Sequence, residues 1–165
     1  MKQKVEIKFD YENYNFHVKP LKLAFFDGFW YLLALHIKNE KETFKKYHLK
    51  TIKNIQTLEN NFDIPQIVED RLKYTNSIWF NLDEQFVVRL FVDKSIRKYF
   101  ERKPLRDQTI MGEDKDGSIE IGINITNEME IIPLILWYIP YIKVLEPQWL
   151  ADMVKEKVQG YLKEI

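Results

Sequence analysis

Phe16-His17-Val18-Lys19-Pro20-Leu21-Lys22-Leu23-Ala24-Phe25-Phe26, then Asp27-Gly28, then Phe29-Trp30-Tyr31-Leu32-Leu33-Ala34-Leu35-His36 is the stretch on which the fold turns. Two apolar, β-prone runs flank a two-residue Asp-Gly. That pair accepts positive φ at both turn positions and so closes a tight hairpin. Pro20 has no N–H to give a ladder, which predicts an edge or a bulge in the first run. The second run is apolar at successive positions, so both its faces should be covered and it should lie inside its sheet.

Upstream, Val5, Ile7 and Phe9 alternate with Lys4, Glu6, Lys8 and Asp10, the period of a half-buried strand. Downstream, Asn39-Glu40-Lys41-Glu42 is a polar turn, and Phe44–Leu49 and Ile52–Phe62 complete about five short sequential strands. With little helix among them, they predict a small barrel of the SH3 type.

The pattern changes after Phe62. Ile64 to Tyr74 has helical spacing, with Asp63 as N-cap and Pro65 in the first turn. Thr75-Asn76-Ser77 breaks it. The chain therefore reads as a first module over residues 1–74, a linker over 75–84 and a second module over 85–165. In the second, Phe86–Val92 is a strand and Asp93–Phe100 a short helix. Leu105–Gly112 and Ser118–Ile125 are strands joined through Asp116-Gly117. Glu128–Tyr138 is an apolar helix, Ile142–Leu145 a strand, and Pro147–Leu162 a final helix. Strand–helix–strand–strand–helix–strand is the ferredoxin-like order. Asn127 and Glu130 form a capping box, and Pro133 must kink that helix or delay its start. The expected fold is α+β: an Sm/SH3-like barrel, then a ferredoxin-like βαββαβ module with a C-terminal helix.

Composition narrows function. The 165 residues are 45% hydrophobic and 15% aromatic, enough for a real core, and contain no cysteine. A disulfide scaffold, a thiol nucleophile and cysteine-held metals are thereby excluded. No apolar h-region follows Met1, and the run Met129–Ile139 is too short to span a bilayer, so the expectation is a cytoplasmic protein with no membrane partner. No Gly-x-Ser-x-Gly, phosphate-loop or His-Glu-x-x-His pattern occurs. Asp114-Lys115-Asp116-Gly117 opens like a calcium loop but lacks the later ligands, and reads as a hairpin turn. We therefore expect no catalysis, no cofactor and no metal.

Charge says more once divided. Lys+Arg and Asp+Glu are 25 each overall. Residues 1–62 hold 11 lysines and no arginine against 7 acids, which is +4; residues 63–165 hold 14 basic against 18 acidic residues, which is −4. In the first half, strand alternation places Lys46, His48 and Lys50 on one face, with Tyr47 and Leu49 toward the core. Such a face suits an anion or a nucleic-acid backbone, and an ordinary solvated lysine face is the competing reading. A second basic cluster comprises Lys94, Arg97, Lys98, Arg102, Lys103 and Arg106. Phe29-Trp30-Tyr31 and Trp137-Tyr138-Ile139 read mainly as core, although an exposed Tyr31 beside basic side chains would stack bases of a single strand.

Lys19-Pro20-Leu21-Lys22-Leu23, Asp27-Gly28-Phe29-Trp30-Tyr31-Leu32-Leu33-Ala34-Leu35 and Tyr47-His48-Leu49-Lys50-Thr51-Ile52 together resemble the WYL domain, named for the triplet present as Trp30-Tyr31-Leu32. Asp116-Gly117-Ser118, the apolar helix 129–138 and Val144-Leu145-Glu146-Pro147 are similar to the extension that commonly follows it. The resemblance implies a module of bacterial transcription regulators in which the barrel senses a ligand, single-stranded DNA or nucleotide-like in some members, and the extension mediates homodimer contacts. Duplex DNA is bound in such regulators by a helix-turn-helix. The chain opens directly in the first strand without one, so it is expected to be a fragment of a longer regulator or a free-standing sensor. A strand that commonly reads Phe-Arg-Leu-Asp-Arg-Ile is Tyr47–Ile52 here: His48 stands for the first arginine, Lys50 for the acid and Thr51 for the second arginine. The arginine often found before the proline is absent, with His17 and Lys19 nearby. Lysine lacks the bidentate fork of arginine, so phosphate would be held differently. The expected ligand contacts are His17, Lys19, Tyr31, Lys46, His48 and Lys50, with Arg97, Lys98, Arg102, Lys103 and Arg106 as a second patch. A dimerisation module with no small ligand is the alternative.

Overall fold

A computed structural model describes residues 4–165. The chain is mixed α+β, with two antiparallel sheets and four helices, and divides into two compact units, Met1–Leu82 and Asp83–Ile165.

In the first unit β1 (Val5–Tyr11), β2 (Tyr14–Phe26), β3 (Phe29–Lys38), β4 (Lys41–His48) and β5 (Lys53–Asn61) form one sheet in the order β4-β3-β2-β1-β5. Three two-residue hairpins build it. Glu12-Asn13 (φ 48°, 69°), Asp27-Gly28 (48°, 88°) and Asn39-Glu40 (50°, 61°) all hold positive φ at both positions. That is the turn whose twist matches the strands it joins. β3 lies between two neighbours with both faces covered, as its apolar run predicts. Leu32 and Ala34 pack with Phe9, Val18 and Tyr47 on one side. Leu33 packs with Ala24, Phe26, Leu72 and Phe80 on the other. Pro20 sits at a bulge, where the β2–β3 register shifts between Pro20 and Lys22.

The sheet is open, which corrects the expectation of a closed barrel. β4 and β5 end the strand order. A short 3-10 turn, Leu49–Thr51, separates them, and β5 leaves it to pair with β1. The face that closure would have covered is instead covered by α1 (Gln66–Leu72) and the segment after it. Residues 75–82, read from sequence as a linker, carry the fully buried Phe80 into the core of this first unit. Asp63 does not cap α1: Pro65 occupies the cap position, with no side-chain bond.

In the second unit β6 (Phe86–Val92), β7 (Thr109–Glu113), β8 (Ile119–Ile125) and β9 (Ile142–Glu146) pair in the order β7-β8-β6-β9. Helices α2 (Arg97–Arg102), α3 (Ile132–Tyr138) and α4 (Gln148–Lys163) supply the rest of its core. Val88, Leu90 and Val92 of β6 and Ile119, Ile121, Ile123 and Ile125 of β8 face Phe100, Ile132, Ile135 and Leu150. The capping box forms: Asn127 accepts from the Met129 N–H, and Glu130 accepts from the N–H of Asn127. Pro133 cannot donate inside a helix, so residues 128–130 make a separate 3-10 turn and α3 starts at Ile132. α2 starts later than expected, because Asp93 accepts from the N–H of Ser95 and forms a turn first. No helix among the described residues is long and apolar enough to cross a membrane.

Candidate ligand-binding site

The Asp27-Gly28 turn puts Phe29 and Trp30 at the rim of the first sheet, where each is about half exposed (49% and 51%). The expectation that Phe29-Trp30-Tyr31 is core therefore holds only for Tyr31, which is half-buried. Phe26, on the other arm of the same turn, is instead buried against Leu33 and Leu72. Proximity to the turn is therefore no signal by itself that Phe29 and Trp30 face outward.

β4 runs antiparallel to β3 with Tyr31 opposite His48 and Leu33 opposite Lys46. The imidazole of His48 lies edge-on between Phe29 and Tyr31, at ring-centroid distances of 5.2 and 5.5 Å. Its Nδ1 is 3.4 Å from the Thr51 hydroxyl, and its backbone N–H donates to the Tyr11 hydroxyl. β4 ends at His48, and Lys50 falls in the 3-10 turn rather than on the strand. Strand alternation therefore does not place it; the turn swings it toward the hairpin tip. Leu49 is likewise exposed, not in the core. Gly28, Phe29, Trp30, His48, Leu49 and Lys50 then line a shallow pocket of about 280 Å³. Two aromatic faces, an imidazole and an ammonium share one small concavity. That combination accepts a flat ring on the aromatic side and an anion on the cationic side.

The other expected contacts lie elsewhere. Lys46 is half-buried with its ammonium 5.4 Å from the Phe44 ring, on the face covered by α1. His17 is 2.7 Å from the carboxylate of Glu6, which also accepts from Asn60. Lys19 is paired with Glu42 at 2.5 Å. Lys19 stands opposite Leu35 on β3, four residues from Tyr31 along the strand, or roughly 14 Å. The structure thus gathers Tyr31, His48 and Lys50 at one end of the sheet and leaves His17 and Lys19 away from them.

The second basic cluster is also divided. Arg97 donates to Glu101 (2.7 Å), Glu113 (2.6 Å) and the carbonyl of Gly117 (3.1 Å). Its hydrogen bond holds the Glu113 carboxyl below the usual carboxylate range. Lys98 lies over the Tyr99 ring. Arg102 and Lys103 line a separate pocket of about 390 Å³ with Tyr99, Phe100, Leu105 and Tyr138. Arg106 is exposed. Trp137, expected in the core, is 80% exposed.

The order of strands and turns defines a five-stranded antiparallel β-sheet unit followed by an α/β unit, and comparison with known families gives both their identities. The WYL domain matches residues 1–57 and the WCX domain matches residues 84–162. The chain is a WYL domain-containing protein in which a WCX domain follows the WYL domain. No curated protein matches it. Among solved structures it is similar to one described as a CRISPR Cas-related protein, at 11% identity and a TM-score of 0.54, over 99% of this chain and 48% of that one. It is also similar to proteasome accessory factor B/C (PafBC) of Arthrobacter aurescens, at 21% identity and a TM-score of 0.39, over 94% of this chain and 24% of that one. The chain thus spans about half and about a quarter of these two proteins.

Proposed function

We propose that this chain is the ligand-sensing part of a bacterial transcription regulator, and that its rim pocket takes a single-stranded nucleic acid or a nucleotide. The observation that carries the reading is the placement of Phe29, Trp30, His48 and Lys50 around one concavity. A base stacks on the exposed aromatic rings, and Lys50 and His48 meet the phosphate. Stacking is worth about 1–3 kcal/mol per base, and each phosphate contact adds salt dependence. The role is binding, not catalysis, and it is exerted in the cytoplasm.

The finer fold assignments belong to the same reading. An Sm/SH3-like ancestry for the first sheet is supported by the five sequential strands and the outer position of β5. A ferredoxin-like arrangement for the second unit is supported by its order β7-β8-β6-β9, with a helix after β6 and after β8.

Fluorescence anisotropy with a labelled single-stranded oligodeoxynucleotide tests the function at two salt concentrations. Saturable binding that weakens with salt, and weakens further in Trp30→Ala, is expected. Absence of binding at low salt overturns the nucleic-acid reading. A second reading, a homodimerisation module, rests on Trp137 standing 80% exposed beside the exposed Leu136. A monomer by light scattering at high micromolar concentration removes it.

A further inference from the structure

At the far end of the first sheet, β2 and β3 part. Their ladder runs from Phe26–Phe29 back to Val18–His36. Beyond that point, among the described residues, β2 continues paired with β1 alone, down to Tyr14, and β3 with β4 alone, out to Lys38. Tyr14–His17 and Ile37–Lys38 therefore diverge, and the backbone groups that would have joined them face the gap. The opening measures about 950 Å³ and is lined by Lys8, His17, His36, Lys38, Lys41 and Lys45, among others. It lies seven residues along β3 from Phe29, roughly 23 Å from the rim pocket.

Its chemistry is one-sided. Four lysines and two histidines line the gap, and no carboxylate does so among the described residues. Of the acids nearby, Glu6 is held by His17 and Asn60, Glu42 by Lys19, and Asp10 by Asn15 and Asn54, while Glu40 is exposed in the turn between Asn39 and Lys41. The apex is apolar and shaped, with the Phe16 ring edge-on to His36 at 5.0 Å and the Lys45 ammonium 5.4 Å from the same ring. His36 is faced by Phe16 and His17 from β2, Thr43 and Lys45 from β4, and Lys38 on its own strand. Burial first, and then Lys45, Lys38 and His17, hold its imidazole below the usual histidine range. Such crowding of cations around open space is costly unless water or an anion fills it.

We propose that this fork is a second anion site, one that takes closely spaced phosphates such as the phosphate chain of a nucleotide or a short polyphosphate. It goes beyond the rim-pocket reading and does not depend on it. The lysines surround the chain as point charges, and the parted backbone offers N–H donors to the same oxygens.

Isothermal titration with inorganic tripolyphosphate, ATP and an oligodeoxythymidine strand tests it on the full chain. The expected result is saturable tripolyphosphate binding, about tenfold weaker or more in Lys38→Ala/Lys45→Ala and retained in Lys38→Arg/Lys45→Arg. Both lysines are exposed, so these variants should fold. ATP competing with tripolyphosphate identifies a nucleotide as the source; competition by the strand alone identifies a nucleic-acid backbone. The His36 ring, followed by NMR, should titrate at higher pH with tripolyphosphate bound, because an anion offsets the surrounding lysines. No saturable binding, full affinity in the double alanine variant, or an equal loss in Lys115→Ala on the second unit overturns the proposal.

Discussion

The two units of this molecule put many of their cations to different uses, although each has exceptions: Lys19 pairs with Glu42 in the first, and Arg102 and Lys103 line a pocket in the second. In the second, arginines are internal fasteners. Arg89 bridges Glu120 at 2.7 Å and Glu146 at 3.0 Å, tying β6 to both neighbours, and Arg97 joins α2 to the β7–β8 hairpin. In the first, lysines and histidines surround open space at both ends of β3, at the rim pocket and at the fork. The contrast follows residue type. A guanidinium holds two carboxylates in fixed geometry, whereas an ammonium is a mobile point charge suited to a ligand that comes and goes. A count of basic residues, which favours neither unit strongly, cannot separate these uses.

The two units should differ most in stability. Phe80 is fully buried against Leu33, Leu72 and Phe26, so Phe80→Ala should cost about 3–5 kcal/mol in the first unit. Thermal or denaturant unfolding should show that loss in the transition of the first unit, with the second unit's transition unmoved. A shift shared by both would merge what the structure separates.

They should differ next in binding. Lys50→Ala with Trp30→Ala should weaken oligonucleotide affinity by about tenfold to a hundredfold and flatten its salt dependence. Arg97→Ala should leave anisotropy titrations unchanged, since that guanidinium is already committed to Glu101 and Glu113. Equal losses in the two variants would erase the distinction between fastener and ligand contact.

A smaller effect is expected inside the first core. The Tyr47 hydroxyl is buried with no hydrogen-bond partner among the described residues, and burial, helped by Tyr11, pushes its pKa up to about 12. Tyr47→Phe removes an unsatisfied polar atom without changing shape, so the unfolding free energy should rise by about 1 kcal/mol and the denaturant midpoint with it. A loss of stability would mean that the hydroxyl has a partner after all.

The smallest effect is on pH. His36 is depressed below its unfolded value near 6.5, so the unfolded chain takes up the proton first as pH falls. Stability of the first unit should decline as pH drops through 6.5 toward the lower folded value, and His36→Gln should flatten that decline. An unchanged slope in the variant would assign it to another group.

Much of this was legible in residues 16–36. Asp27-Gly28, the two-faced apolar run of β3 and the bulge at Pro20 all follow from local chemistry, as does the delay that Pro133 imposes after the Asn127–Glu130 box. What escaped is what local period does not encode. Bulges between Val5 and Ile7 and between Lys8 and Asp10 break the simple alternation of β1, and Glu6 becomes buried beside His17 where an exposed residue was expected. The 3-10 turn at Leu49–Thr51 takes Lys50 off the strand and opens the sheet. The fork arises because β2 and β3 each keep one partner and lose the other, a property of pairing that neither strand shows alone. Burial of Phe80 depends on a return path over the sheet that its own neighbours do not announce.

In the proposed function the hairpin rim of the WYL domain holds a base and its phosphate together. The most direct measurement is anisotropy of a labelled single-stranded oligodeoxynucleotide against the wild-type chain, Trp30→Ala and Lys50→Ala at low and moderate salt. The account predicts that Trp30→Ala lowers affinity by a similar factor at both salts, while Lys50→Ala lowers it most at low salt and reduces the salt slope by about one. Wild-type affinity in both variants would contradict it.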